Sequence, residues 1–349
     1  MVISPRLNPV PIAAAAATRA TSQLLVASQP PPTDLTFRAP LVSFLALVGI
    51  GFVASAASLS MPSLTLHQLG ASKYISTQSL LAVRAVFAAT IGVSLYSSLM
   101  DPEPHSFTLM TYEGSRLPPK SVSFKGFERL STFTVQCWAL QLVYFSLATV
   151  CSALQLAGVS ATAVPPALAN FAHVLYEVSV GTSLLTTIIV TFVLLPARIR
   201  KGDFASARRM LSWRPQLMHN ANLAFATTEL LLNSMPVMIS HFVFAVLFGI
   251  NYVLVSWWWL KRTGIIYYPF LDPTLPAPKA IALHTLLIGI LGAFFAIGAG
   301  LDHLALLLPF GVRAPLLYAC ACSLMWTRFI RGRPGELARS EDGRDGGSE

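Results

Sequence analysis

An imidazole opens one apolar stretch of this chain, Met218-His219-Asn220-Ala221-Asn222-Leu223-Ala224-Phe225-Ala226-Thr227-Thr228-Glu229, and a carboxylate follows two to three turns later. A second apolar stretch begins near Ser131 and carries Thr134, then Cys137, Gln141 and Tyr144 at i+3, i+7 and i+10, one polar stripe of a helix. On the first stretch His219, Asn222 and Glu229 fall within a sector of about 80° at 100° per residue. A threonine hydroxyl is a poor nucleophile until a base takes its proton, and neutral histidine is the usual base near pH 7. Thr134 and His219 therefore read as nucleophile and base. The same residue types also serve as hydrogen-bonding glue between membrane helices, and both readings stand at this point.

These groups need elements to hold them, and the composition says which. Of 349 residues, 54% are apolar and 11% charged, and long uncharged runs recur throughout, the pattern of a polytopic helical membrane protein. Each span must satisfy its own backbone hydrogen bonds, so the expected fold class is an all-α transmembrane bundle of seven to eight spans. Spans are expected at 40–60, 76–99, 131–157, 168–196, 218–234, 239–260 and 280–308, with an eighth at 312–328 interrupted by Pro315. Asn233-Ser234-Met235-Pro236 reads as the turn between the fifth and sixth. Residues 1–38 read as a disordered tail or transit peptide, 39–75 as an additional span and loop, 76–308 as the main helical domain, 309–330 as an added span and 331–349 as a disordered tail.

The net charge of +9 belongs to loops. All of the 24 Lys and Arg except Lys73, Arg84 and Arg313 fall on one side of this layout, which the positive-inside rule makes cytosolic, tails included. The densest cluster, Arg198, Arg200, Lys201, Arg208, Arg209 and Arg214, reads as a topology signal against anionic lipid, so membrane lipids and not nucleic acid are the expected partners. Arg84, Glu177 and Glu229 are charges inside spans, which are costly there. Counting along the helices puts Arg84 near the depth of both acids and predicts an interior ion pair with one of them.

No Gly-x-Ser-x-Gly elbow, His-Glu-x-x-His, P-loop or dinucleotide glycine pattern competes with this pair. Cys137, Cys151, Cys320 and Cys322 read as buried small hydrophobes, and no metal site or cofactor is expected. His173, one turn from Glu177, reads as structural; His241 and His303 fall on the side away from Thr134. His284 starts the seventh span near the level of His219.

Three patches resemble the androgen-induced protein family, multi-pass membrane proteins that include hydrolases of fatty acid esters of hydroxy fatty acids. They are Phe133-Thr134 with Gln141 and Val143-Tyr144-Phe145; Met218-His219 with Glu229 ten residues on; and Gly264-Ile265-Ile266-Tyr267-Tyr268-Pro269-Phe270-Leu271-Asp272. The likeness covers about 76–308 and implies Thr134 as nucleophile and His219 as catalytic histidine. The chain departs from the family at Gln216, where a second histidine is expected, and at Lys125-Gly126-Phe127-Glu128-Arg129; Thr132 is a near-register alternative to Thr134.

The expected function is an intramembrane lipid-ester hydrolase working through an acyl-Thr intermediate, with Asn222, His284 or Asp272 orienting the base or binding the oxyanion. The alternative is a non-catalytic lipid-binding or regulatory membrane protein. The expected location is an endomembrane or the plasma membrane, with an organelle membrane as the other option.

Overall fold

The computed structural model describes residues 39–325, apart from Ser60, Pro62, Ser63, Met110, Ala161, Thr162 and Lys201. The tails expected at 1–38 and 331–349 lie outside the described residues. In chain order the helices are α1 (Ala39–Ser58), α2 (Leu66–Gly70), α3 (Thr77–Leu99), α4 (Phe133–Leu156), α5 (Pro166–Arg200), α6 (Phe204–Met210), α7 (residues 213–232), α8 (Phe242–Thr263), α9 (Ala277–Leu306) and α10 (Phe310–Leu324).

Local chemistry sets many of the boundaries. Ser76 caps α3 by accepting from the Ser79 N–H at 3.1 Å, and Asp203 caps α6 through the Ser206 N–H at 3.1 Å. Pro165 and Pro166 open α5, where a missing N–H costs nothing. α8 closes on Gly264 at φ 71°, a left-handed cap, with Lys261 and Arg262 in its last turn facing the negative end of the helix dipole.

Among the described residues, six helices are long and apolar enough to cross a bilayer: those over 40–57, 77–99, 133–156, 166–200, 239–263 and 277–304. That is fewer than the seven or eight expected. α7 carries Arg214, Gln216, His219, Asn220, Asn222 and Glu229 and is too polar to count, and α10 has 15 residues, about 22 Å at 1.5 Å per residue against a hydrocarbon core of about 30 Å. The loop 101–130 also holds structure that the sequence reading leaves out, an antiparallel hairpin of β1 (His105–Thr108) and β2 (Ser121–Phe124) with His105 opposite Phe124.

α5 is the hub, with 72% of its span buried, whereas α1 lies at the edge with 11%. The bundle is apolar outside, and its intramembrane charges lie within a largely apolar core. Val86, Val93, Val150, Leu254, Leu286 and Ile297 are exposed, while Arg84, Gln141, Glu177 and Glu229 are buried. A water-facing surface would reverse that arrangement; a lipid-facing one requires it. This is an all-α integral membrane protein.

The basic loops meet at one end. The Arg116 N–H donates to Thr274 Oγ1 at 3.0 Å, Lys279 Nζ to the Glu113 carbonyl at 2.7 Å, and Arg214 binds Asp101. Ser72 pairs with Asn233 at the opposite end, where the Asn233–Pro236 turn lies. Two members of the arginine cluster thus have acidic partners, Arg214 with Asp101 and Arg198 with Asp203 at 2.9 Å.

Candidate active site

The stripe on α4 faces inward and each member is engaged. Gln141 Nε2 donates to Ser183 Oγ on α5 at 2.7 Å and to the Asn222 carbonyl on α7 at 3.2 Å. Asn222 Nδ2 donates to Thr186 Oγ1 at 2.7 Å, and the Thr187 hydroxyl lies between Asn222 Oδ1 (3.1 Å) and the His219 carbonyl. Cys137 meets Thr182. One layer of small polar groups therefore knits α4, α5 and α7 together.

His219 sits at the centre of the π turn Leu217–Ala221. Such widened turns occur mostly as single bulges inside helices, frequently at functional sites. Thr134, in the first turn of α4, is half-buried, as is His219. Its hydroxyl is within hydrogen-bonding reach of the Tyr268 phenol, and Tyr268 stacks on Phe270 with centroids 5.4 Å apart. The Gln141–Asn222 bond gives the register of the two helices. Thr134 lies seven residues and His219 three residues toward the basic end from it, about 10 Å and about 4.5 Å along the axes. The two share an end of the bundle.

Of the three candidate orienting groups, Asn222 is linked through Thr187 to the His219 backbone carbonyl. Asp272 is held elsewhere: it accepts from the Ser115 hydroxyl and, at 2.7 Å, from the Thr274 N–H. His284 Nδ1 lies 2.7 Å from the Ala280 carbonyl of its own helix, and its ring meets Trp257 edge to face. Thr132, the alternative nucleophile, turns its hydroxyl to the Arg129 carbonyl at 2.9 Å.

Deeper in the bundle, Arg84 binds Glu229, with Nε 3.1 Å from Oε1. Arg84 Nη1 also donates to the Leu69 carbonyl at 2.6 Å and Ser152 Oγ at 2.8 Å, and the Tyr144 hydroxyl donates to Glu229 Oε1 at 2.7 Å. Nearly every polar atom of the pair has a partner, which is what a buried ion pair needs.

No family model, curated protein or solved structure matches this chain. The functional reading therefore rests on residues and geometry.

Two features lie outside the sequence expectations. Glu177 leaves Arg84 to Glu229 and instead meets His173 and His241, both buried. The i, i+4 spacing of His173 and Glu177 was legible; the arrival of His241 beside them was not, because it depends on how the turn after α7 folds back. Cys137 and Cys151 are buried as expected, but Cys320 and Cys322 are exposed on α10. That helix packs by one face only, through Arg313, Leu317 and Ala321.

Proposed function

We propose that this chain is an intramembrane lipid-ester hydrolase with Thr134 as nucleophile and His219 as base. One observation carries the reading: His219 occupies a π turn on the helix that Gln141 ties to the polar stripe of α4, at the end of the bundle where Thr134 lies. The resemblance of three sequence patches to the androgen-induced protein family supports the same two residues.

In the reaction, Thr134 Oγ attacks the acyl carbonyl carbon while His219 takes the hydroxyl proton. His219 then gives that proton to the departing alcohol oxygen, leaving an acyl-Thr ester. Water, deprotonated by His219, attacks that ester; the C–Oγ bond breaks, His219 returns the proton to Thr134 Oγ, and the fatty acid leaves. Tyr268, in reach of the Thr134 hydroxyl, is placed to donate to the oxyanion that forms beside it. A fatty acid ester of a hydroxy fatty acid, or a related lipid, fits an aliphatic exterior with a polar layer near one end. We read the basic end as cytosolic, with seven to eight segments crossing or entering the membrane and both tails on the cytosolic side.

The test is labelling of the detergent-solubilised full chain with a fluorophosphonate probe. Wild-type protein should label, Thr134→Ala and His219→Ala should lose the label, and Thr132→Ala should keep it. Labelling that survives both Thr134→Ala and His219→Ala removes the assignment.

A second reading, a non-catalytic lipid-binding protein, is favoured by one observation. Two cavities, one of about 40 Å³ between α5, α7, α9 and α10 and one of about 180 Å³ beside Asn233, are lined by neither Thr134 nor His219. It expects no labelling and a specific lipid retained through purification.

A further inference from the structure

We propose that His173, Glu177 and His241 form a divalent-cation site of zinc type at the end of the bundle away from the basic loops. The site is independent of the hydrolase reading, since it lies at the end opposite Thr134.

His173 and Glu177 are one turn apart on one face of α5. His241 ends the 3₁₀ turn Ile239–His241 that leads into α8. All three side chains are at most 1% exposed, and one ligand atom from each lies within 4.8 Å of the others. Two imidazoles and one carboxylate are a common protein ligand set for zinc, which favours nitrogen and oxygen donors in a tetrahedron. Bonds of about 2.0–2.2 Å place neighbouring tetrahedral donors about 3.4 Å apart. His173 Nε2 lies 3.4 Å from Glu177 Oε1. Glu177 Oε2 and His241 Nδ1 are at 2.6 Å and need to open by less than about 1 Å to admit the ion. His173 Nε2 lies 2.7 Å from the Pro236 carbonyl, which can only accept, and ligation through Nε2 would replace that hydrogen bond.

Charge gives the second argument. Glu177 is a buried carboxylate whose ion pairs, among the described residues, are both with histidines. Arg84 is committed to Glu229. Asp302, a further carboxylate, accepts from the neighbouring Val237 N–H at 2.8 Å. Glu177 Oε1 also accepts from the Met238 N–H at 2.6 Å; a divalent ion would set two positive charges against these buried carboxylates. A cavity of about 180 Å³ is lined by Pro236, whose carbonyl touches His173, and by Asp302. Closed by burial, the site would clamp the α7–α8 connection to the central helix α5.

The experiment uses the full chain in detergent, stripped with chelator and dialysed. Elemental analysis after zinc addition should find about one zinc per chain, with a higher melting temperature than the stripped protein. Cobalt in its place should give the intense visible bands of a tetrahedral ion. Glu177→Gln and His241→Asn should weaken zinc binding at least tenfold, while His303→Ala, at the same end, should leave it unchanged. If a site variant fails to fold, the wild-type cobalt spectrum decides. Weak octahedral bands, no zinc retained with no shift in melting temperature, or equal binding by folded Glu177→Gln each overturn the site and leave an imidazolium–carboxylate cluster.

Discussion

Arg84 on α3 and Glu229 on α7 form a buried ion pair, 0% and 1% exposed, across helices 145 residues apart in sequence. The pair is embedded in hydrogen bonds from Tyr144 and to Leu69 and Ser152. It fixes the depth of α3 against α7, and with them the depth at which α7 presents His219.

Breaking one side of that pair strands the other. Arg84→Ala should destabilise the protein by about 3–5 kcal/mol, seen as a large fall in melting temperature in detergent. The double variant Arg84→Met with Glu229→Leu should recover much of the loss, because no charge is then left alone. Unchanged stability of Arg84→Ala would show that the pair contributes nothing.

Gly70 sits where α2 meets α4. A Cβ there would lie 2.6 Å from the Cys151 carbonyl oxygen and 2.8 Å from Gln155 Cβ. The obstacle is mostly helix backbone, which cannot swing aside, so Gly70→Ala should cost about 1–3 kcal/mol. Gly49→Ala, with nothing within 4 Å of the added carbon, is the control and should be near neutral in the same thermal assay.

Asp101, just beyond α3, has a carboxyl held below its ordinary value. Burial pushes it up, but the Glu103 N–H, Arg214 and Arg129 together outweigh that. A depressed carboxylate stabilises the fold above its unfolded value of about 3.9 and loses that contribution as pH falls through the folded value. Acidification below about pH 4 should therefore release α7's first turn from α3, seen as faster amide exchange at 212–216. Asp101→Asn should show fast exchange there already at neutral pH, with little further change on acidification.

The meeting of the three basic loops at one end sets a labelling pattern. With Cys320 and Cys322 replaced by Ser, Glu113→Cys, Arg208→Cys and Lys261→Cys should react with an impermeant maleimide from one side of sealed vesicles. Lys73→Cys should react from the other. All four residues are exposed. Reaction of Lys73→Cys from the same side as the others would contradict the arrangement.

The chain's pattern of apolar runs specified the helical membrane class, because a backbone in lipid has to satisfy its own hydrogen bonds. Spacing alone put Thr134, Cys137, Gln141 and Tyr144 on one face, and the face proved to be the inward one. The Asn233–Pro236 turn was equally local and equally legible. Which acid Arg84 takes was not, since Glu177 and Glu229 lie at similar computed depths and differ only in which helix packs beside α3. The register of α4 against α7 was hidden for a related reason: the Gln141–Asn222 contact joins them, and neither helix encodes it alone. The His173–Glu177–His241 cluster needed α8 to fold back beside α5. Sequence determined what each helix could bury; the tertiary structure decided partners, because buried charges pair by proximity in space.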